Sequence, residues 1–304
     1  MKTYLPYFAV IVAMLFWSSS FIAMKFIFIY MGPFTMTFLR LLIACIIMPA
    51  LYYLSPQRDV IKPKHIPQFM LLALFEPFIY FIGESCGMQY VSASFGAVII
   101  SLIPLITLIF AWFIIKEPVT RWGIIGAVIS FLGVVVIVLE TNELGATLKG
   151  MALLFVAVFG AVGYGIKLRQ IAVEYEPVTI VTVQTFFGML YFLPVFLLVE
   201  GKQFFSDIPP LTAFYPVLGL AIFCTCGSFL LFTYALRKIG LNNANIFCNM
   251  IPVFTAILAF IILHEMISLR KLSGIIIVVA GLFISQIPAL RRHKSRKMKI
   301  KSFT

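Results

Sequence analysis

The chain has 304 residues, of which 62% are hydrophobic and 11% are charged, and its mean hydropathy is +1.08. Soluble domains carry about a quarter charged residues, so this composition excludes a soluble globular protein. The formal net charge of +12 does not indicate nucleic-acid binding, because no aromatic residues are interleaved with the basic residues of the C-terminal tail.

Apolar segments long enough to cross a membrane recur along the whole chain. A helix needs about 20 residues for this, at a rise of about 1.5 Å each. In chain order, the segments are Tyr4–Met24, Pro33–Leu54, Pro67–Tyr90, Val91–Ile115, Trp122–Leu139, Gly150–Ala172, Pro177–Val199, Ile208–Leu236, Leu241–Leu263 and Leu272–Leu290. We number them helix 1 to helix 10. The sequence therefore predicts an all-α integral membrane protein with ten transmembrane helices.

The sequence also repeats itself. With a shift of 148 residues, four positions around helices 4 and 5 fall on identical residues around helices 9 and 10. The pairs are Pro104 with Pro252, Glu117 with Glu265, Gly126 with Gly274 and Gly133 with Gly281. Each copy holds five crossings, an odd number, so the second copy must run inverted relative to the first. We therefore predict one five-helix repeat over residues 1–144, an inverted repeat over 145–290 and a basic tail over 291–304.

The distribution of lysines and arginines predicts the orientation in the membrane. If the N-terminus is cytoplasmic, 17 of the 23 basic residues lie on the cytoplasmic side and four lie outside. Such an excess marks the cytoplasmic face, so both termini are expected there. The basic tail then lies beside the membrane, where anionic lipid attracts it.

Few residues are available for catalysis or for metal binding. The three histidines, His65, His264 and His293, are dispersed, and Asp59 and Asp207, the only aspartates, fall in predicted loops. All five cysteines fall within predicted helices, where they behave as small hydrophobic side chains. A catalytic centre needs such groups to be clustered. We therefore predict a protein that is not an enzyme and that binds no metal or cofactor.

Several short motifs stand in an order and spacing typical of one transporter family. They are Trp17–Phe21 in helix 1, Phe38–Arg40 in helix 2, Gly87–Ser94 leading to Pro104 in helix 4, and the pairs Lys116–Glu117 and His264–Glu265 that end helices 4 and 9. Up to about Leu290, the chain resembles a drug/metabolite transporter of the ten-helix EamA-like type. The resemblance implies ATP-independent export or exchange of small metabolites such as amino acids, in a bacterial inner membrane.

Helix 3 carries two acidic residues at depths where charge is costly. Glu76 lies near the middle of the membrane, and Tyr80 and Glu84 follow at i+4 and i+8 on the same helix face. A charge inside the bilayer costs at least about 2.5–3.5 kcal/mol, so it marks a cavity, a partner or a transport pathway. Pro77 removes a backbone hydrogen bond beside Glu76. We predict that this face borders the substrate site.

Three charged residues, Lys25, Arg40 and Glu84, lie at similar depths in the outer half of the predicted membrane. Glu84 could pair with Arg40 or with Lys25 and fix helix packing, or it could change its partner or its proton during transport. Lys25 could instead extend to the membrane surface. Glu76 has no basic residue at its depth, so it is either a proton or substrate-amine site or a protonated structural carboxyl. Gln184 stands where the first repeat has Arg40, which assigns any ion pair to the first repeat.

Polar side chains of helices 4 and 9 are further candidates for substrate binding. Asn245 and Asn249 share one face of helix 9, and the 148-residue shift lays Ser101 of helix 4 on Asn249. Such side chains can bind polar groups of a substrate. Their alternative role is to form hydrogen bonds between helices.

Aromatic residues of helices 1 and 6 complete the predicted site. Trp17 and Phe21 are one turn apart on helix 1, and Tyr164 holds a comparable position in helix 6. Together they can form a wall for a flat or amphipathic ligand, with a cation–π contribution. Their alternative role is helix packing.

These features predict a secondary transporter whose two repeats rock about a site lined by helices 1, 3, 4, 6, 8 and 9. Helices 5 and 10 carry glycines seven residues apart, which allow close packing, so they are expected at the periphery, with a homodimer contact as one use of this surface. Glu117 and Glu265 are expected to contact neighbouring helix ends. A passive channel or a small-molecule sensor is the alternative function.

Overall fold

The computed structural model describes residues 4–107, 110, 121–138, 144–266, 268–281 and 283–284, and most of these residues are helical, with no strand among them. Glu117 and the basic tail, both part of the predictions, lie outside the described residues. The helices, labelled in chain order, are α1 (Leu5–Ile27), α2 (Pro33–Leu54), α3 (Pro63–Gly87), α4 (Ala93–Thr107), α5 (Arg121–Val138), α6 (Leu144–Ile171), α7 (Pro177–Ser206), α8 (Leu211–Ile239), α9 (residues 241–262) and α10 (residues 269–281).

Six of these helices, α1, α2, α3, α6, α7 and α8, are long and apolar enough to cross a membrane, and α4, α5 and α9 are shorter apolar helices. An all-helical protein with membrane-length helices is thereby confirmed. Several predicted bounds differ from the observed ones, and two of these differences have a clear physical cause. α7 continues past the charged Glu200 to Ser206 because that carboxylate finds hydrogen-bond donors in another helix. α8 begins at Leu211 and not at Ile208, because a proline is favoured just at a helix start and Pro210 holds the capping position.

The first turn of α2 is held by a side chain from α7. The Glu200 carboxylate accepts hydrogen bonds from Thr35 N at 2.7 Å, Thr35 Oγ1 at 2.6 Å and Phe34 N at 3.3 Å. A helix leaves its first N–H groups unpaired, and its dipole favours a negative charge there. Glu200 supplies both the acceptors and the charge.

The first turn of α4 is held in the same way. Glu265, which follows α9, accepts hydrogen bonds from Ala93 N and Ser94 Oγ, both at 2.9 Å. It also pairs with Lys271 at 3.3 Å. The predicted contact of Glu265 with a neighbouring helix end is therefore confirmed. We call this end of the bundle, which also includes the end of α1, the Lys25 end.

At the opposite end, the loop after α2 holds the first turn of α7, and we call this the Asp59 end. Asp59 Oδ2 accepts a hydrogen bond from Glu176 N at 2.5 Å, and Asp59 N donates to Thr179 Oγ1 at 3.2 Å. Glu176 also pairs with Arg237 of α8 at 2.5 Å. α2 and α7 thus cap each other, since α7 supplies Glu200 to α2 and the chain after α2 supplies Asp59 to α7.

α3 is broken in its middle, beside the acidic residue singled out from the sequence. Glu76 has extended backbone angles, φ −148° and ψ 118°, within the wider helical turn Leu74–Ile79. The residue before a proline disfavours the helical region, so Pro77 accounts for the break. Gly160 of α6 packs against the backbone of this turn, and Gly188 of α7 lies against the Pro77 ring. The break therefore occupies space that two glycines leave open.

α5 and α10 pack against each other through their small residues. Gly133 lies against Gly274 and Val278, and Gly281 lies against Ser130. Ser130 Oγ donates a hydrogen bond to the Val278 carbonyl at 3.2 Å. The glycine faces are thus used within one chain, and a homodimer through these helices, which stays a prediction, would use their other faces.

Replacing Gly188 by alanine is expected to destabilise the protein. The new Cβ would overlap the Pro77 ring, and overpacking of this kind costs about 1–3 kcal/mol of unfolding free energy. The matched control is Gly219→Ala in α8, where a Cβ meets nothing within 4 Å. Thermal unfolding of both variants in detergent, followed by fluorescence, checks the prediction. Equal transition temperatures would show that Gly188 does not hold the break in α3.

Candidate functional site

A cavity of about 60 Å³, with room for a few water molecules, lies between α1, α3, α4, α6, α8 and α9. These are the six helices that the sequence predicted around the site. The lining residues are Trp17, Phe21, Glu76, Tyr80, Glu84, Ile100, Ile103, Thr107, Ala161, Tyr164, Gly165, Phe232, Leu241, Asn245, Cys248 and Ile251. Six of the eight predicted substrate-binding residues are among them.

The acidic face of α3 borders this cavity. Glu76 is 6% exposed and Glu84 is 3% exposed. Tyr80 OH donates a hydrogen bond to Glu84 Oε1 at 2.9 Å. Within the part of the chain that the structure describes, the Glu76 carboxylate has neither a hydrogen-bond donor nor an ion-pair partner. The break in α3 therefore places the Glu76 carboxyl at the cavity, and no described protein group forms a hydrogen bond or an ion pair with it.

Neither predicted ion pair of Glu84 forms among the described residues. Arg40 is 1% exposed, its Nε donates to Thr225 Oγ1 of α8 at 3.0 Å, and its guanidinium lies 4.1 Å from the centre of the Phe81 ring. Electrostatic interactions still link Arg40 with both Glu84 and Glu76. Arg40 thus acts on the two carboxylates through space, from behind the wall of the cavity.

Lys25 closes α1 onto the connection between α3 and α4. Its Nζ donates hydrogen bonds to the carbonyl oxygens of Met88 at 2.6 Å and Val91 at 2.5 Å. A main-chain carbonyl accepts a charge-assisted hydrogen bond well. Lys25 therefore neither reaches Glu84 nor extends away from the bundle, and it does not border the cavity.

An aromatic wall faces the acidic one. The Trp17 ring lies 5.5 Å from the ring of Phe229 and 5.1 Å from that of Phe232, both in α8. Tyr164 meets Phe229 edge to face at 6.0 Å, and its hydroxyl donates to Gln184 Oε1 at 3.3 Å. Tyr164, Trp17 and Phe21 all border the cavity, so packing and ligand contact are compatible roles for these rings.

Of the predicted polar residues in α4 and α9, Asn245 alone borders the cavity. Asn249 is 1% exposed and lies outside the lining, and neither polar atom of its amide has a hydrogen-bond partner among the described residues. Ser101 lies outside it too and donates to the Val98 carbonyl at 2.7 Å. A 3₁₀ turn over Phe247–Met250 rotates Asn249 away from Asn245, because that helix type has about 3.0 residues per turn and not 3.6.

Several lining residues were missed because they are apolar. The repeat nevertheless contains a signal for four of them. The 148-residue shift lays Ile100 on Cys248 and Ile103 on Ile251, and all four line the cavity. The equivalence of the repeats predicts cavity positions better than polarity does on these two helices. Phe232 of α8 carries no such signal.

The buried charges of α2 and α3 are expected to be energetically coupled. Arg40→Met should lower the unfolding free energy by roughly 3–5 kcal/mol, since it leaves buried carboxyls without their counter-charge. Glu84→Gln added to Arg40→Met should recover part of that loss, with a coupling of at least about 0.5 kcal/mol in a double-mutant cycle.

Glu174→Gln serves as the control in the same cycle, because Glu174 has a half-exposed side chain at the Asp59 end. Its effect should simply add to that of Arg40→Met. Unfolding in detergent measures both cycles. Strict additivity of Arg40 with Glu84 would rule out the coupling across the cavity wall.

The chain is similar throughout to one transporter family. The model of the EamA-like transporter family matches residues 5–139 and again residues 148–286. An uncharacterized transporter from Archaeoglobus fulgidus is 28% identical over 269 residues, which cover 88% of this chain and 94% of that protein. The uncharacterized transporter YetK from Bacillus subtilis is 26% identical over 258 residues, which cover 82% and 77%.

A solved structure has a similar fold. It is titled a crystal structure of a protein, and it superposes with a TM-score of 0.69 over 93% of this chain and 97% of its own. The sequences are 18% identical, so the likeness concerns the fold alone.

Proposed function

Since the chain belongs to the EamA-like transporter family, we propose that it is a secondary transporter, an exporter or an exchanger, that moves small metabolites such as amino acids by alternating access and without ATP. One observation carries this proposal. The cavity lies at the centre of six helices and combines buried carboxyls with aromatic rings, as a site for a small polar ligand requires.

The proposed topology is ten membrane-spanning helices in two inverted repeats, with both termini in the cytoplasm of a bacterial cell. Two features support it. The family model matches the chain twice, once in each proposed repeat. In addition, α2 and α7, the second helices of the two repeats, receive their caps from opposite ends of the bundle, as inverted copies would.

Reporter fusions test this topology. Green fluorescent protein fused after Thr304 should fluoresce and alkaline phosphatase fused there should be inactive, because both report a cytoplasmic position. Fusions after Lys149, before the hydrophobic part of α6, should give the reverse result. Fluorescence of both fusions would contradict the inverted arrangement.

In the proposed orientation the Lys25 end faces outward, and the structure corresponds to a state closed on that side. Lys25 ties α1 to the connection after α3, and Glu265 ties the chain after α9 to the start of α4. Opening to the outside requires these hydrogen bonds to break. The lining residue Leu241 follows Arg237, which pairs with Glu176 at the Asp59 end, by four residues. In the proposed orientation this supports a cavity that extends toward the cytoplasm.

Glu76 and Glu84 are the groups we assign to coupling. Both border the cavity, so a proton or a substrate cation can bind to either of them from it. The side chains of Arg40, Tyr80 and Tyr164 all interact electrostatically with Glu76. An exchange of proton for substrate at these carboxyls would connect an ion gradient to transport.

Counterflow into proteoliposomes tests both the function and the coupling. Liposomes loaded with a panel of amino acids and related metabolites should take up the matching labelled compound with saturable kinetics. Acceleration by a pH gradient should fall at least tenfold in Glu76→Gln with Glu84→Gln, because neither glutamine can exchange a proton.

Glu174→Gln is the matched control for this experiment, since it removes an exposed carboxylate away from the cavity, and it should leave the rate unchanged. Flux that rises linearly with concentration and shows no counterflow would favour the alternative function, a passive channel. If the pH gradient accelerates uptake by the double variant as much as by the wild type, the two glutamates have no coupling role.

A further inference from the structure

A ligand in the central cavity meets carboxyl groups. Glu76 and Glu84 border the cavity, and no Lys, Arg or His is among the described residues that line it. The Lys25 ammonium donates to main-chain carbonyl oxygens. The Arg40 guanidinium donates through Nε to Thr225 and lies over the Phe81 ring. Its Nη1 atom has no hydrogen-bond partner among the described residues, but Arg40 does not border the cavity. Among the described residues, the ionisable acidic or basic groups that border the cavity, apart from tyrosine and cysteine, are therefore two carboxyls.

Glu76 is the carboxyl that a ligand can pair with. Tyr80 already donates to Glu84, whereas Glu76 has no hydrogen-bond or ion-pair partner in the described part of the chain. An ionised carboxylate removed from water needs such a partner. Arg40 brings one positive charge that interacts through space with both carboxyls. When both glutamates are ionised, one negative charge remains, which a single positive charge neutralises.

The remaining walls suit the body of an organic cation. Five aromatic residues line the cavity: Trp17, Phe21, Tyr80, Tyr164 and Phe232. Aromatic faces attract ammonium groups, and they do so more strongly where water is excluded. They also bury large apolar surfaces. The open volume of about 60 Å³ is that of a head group, so a larger body needs the rings to move apart.

We propose that the ligand carried at this site is an organic monocation, a protonated or quaternary amine on an aromatic or aliphatic body, without a carboxylate. The inference rests on the proposed transport function; it keeps small metabolites as the substrates but replaces amino acids, the examples named above, by amines. An amino acid would bring its own carboxylate into a cavity bordered by two carboxyls, where that group would lose water without gaining a cation. The cavity therefore selects amines against the corresponding amino acids.

Three probes that share one aromatic body test this selectivity on the purified full-length protein. Phenethylamine carries the amine alone, phenylalanine carries both charges, and 3-phenylpropanoate carries the carboxylate alone. Calorimetric titration in detergent should show phenethylamine binding at least tenfold more tightly than phenylalanine, and no binding of 3-phenylpropanoate. Tetrapropylammonium, a quaternary amine, should compete with phenethylamine.

Variants locate the binding. Glu76→Gln should weaken phenethylamine binding at least tenfold, and Glu174→Gln, an exposed carboxylate outside the cavity, should leave it unchanged. Gel filtration and thermal unfolding establish that each variant is folded. The comparison of the three probes uses the wild-type protein alone, so it decides the charge selectivity even if Glu76→Gln does not fold.

Several results would overturn the proposal. Phenylalanine or 3-phenylpropanoate binding as tightly as phenethylamine would show that the site holds a partner for a carboxylate. Failure of both phenethylamine and tetrapropylammonium to bind, or full binding to a folded Glu76→Gln, would also overturn it. Counterflow experiments distinguish failure of this ligand proposal from failure of the proposed transport function. Exchange of phenylalanine without exchange of amines would support the transport function and contradict the proposed cationic ligand. Amine binding without any counterflow would support the cation site and contradict the transport function.

Discussion

Polar groups at membrane depth find no water, so each buried N–H group and each charge must find its partner within the protein. At two helix starts the partner is a carboxylate from elsewhere in the chain, Glu200 for α2 and Glu265 for α4. The cations are satisfied differently, since Lys25 binds main-chain carbonyl oxygens and Arg40 binds a hydroxyl and an aromatic ring. Exceptions among the described residues include the Arg40 Nη1 atom and the Asn249 amide, which do not border the cavity. The Glu76 carboxyl also has no partner there and does border the cavity, which is why we propose it as the partner of a ligand.

The break in α3 shows how much of the site follows from sequence. Pro77 beside a buried acid predicted a disturbed helix. Predicted polar or aromatic residues border the cavity on four of its six helices, α1, α3, α6 and α9, whereas Ser101 of α4 does not border it. Such residues stand out because the membrane penalises them. The residues that accommodate the break could not be predicted. Gly160 and Gly188 contact the turn only because α6 and α7 pack around it. A glycine in a helix has many uses, and its neighbour across the interface is invisible in one sequence.

Depth and rotation differ in how well a sequence determines them. Counting residues along helices placed Arg40, Lys25 and Glu84 at one level, but it does not say which way each side chain points. Arg40 turns toward α8 and Lys25 toward the chain after α3, so the predicted pairs do not form among the described residues. The prediction that Asn249 lines the site was wrong for a related reason. The 3₁₀ turn in α9 changes the angle between residues that an ideal α-helix would place on one face.

The caps also bear on how the proposed alternation would move. Glu200 fixes α7 to the start of α2 at one end, and Asp59 fixes the chain after α2 to the start of α7 at the other. A pair of helices joined at both ends cannot separate at either end without exposing unpaired N–H groups. α4 and α9 are joined through Glu265 at the Lys25 end. The proposed rocking motion would therefore have its axis at α2 and α7, and it would open the cavity on the side of α1, α4 and α9, where the wall also carries Trp17 and Asn245.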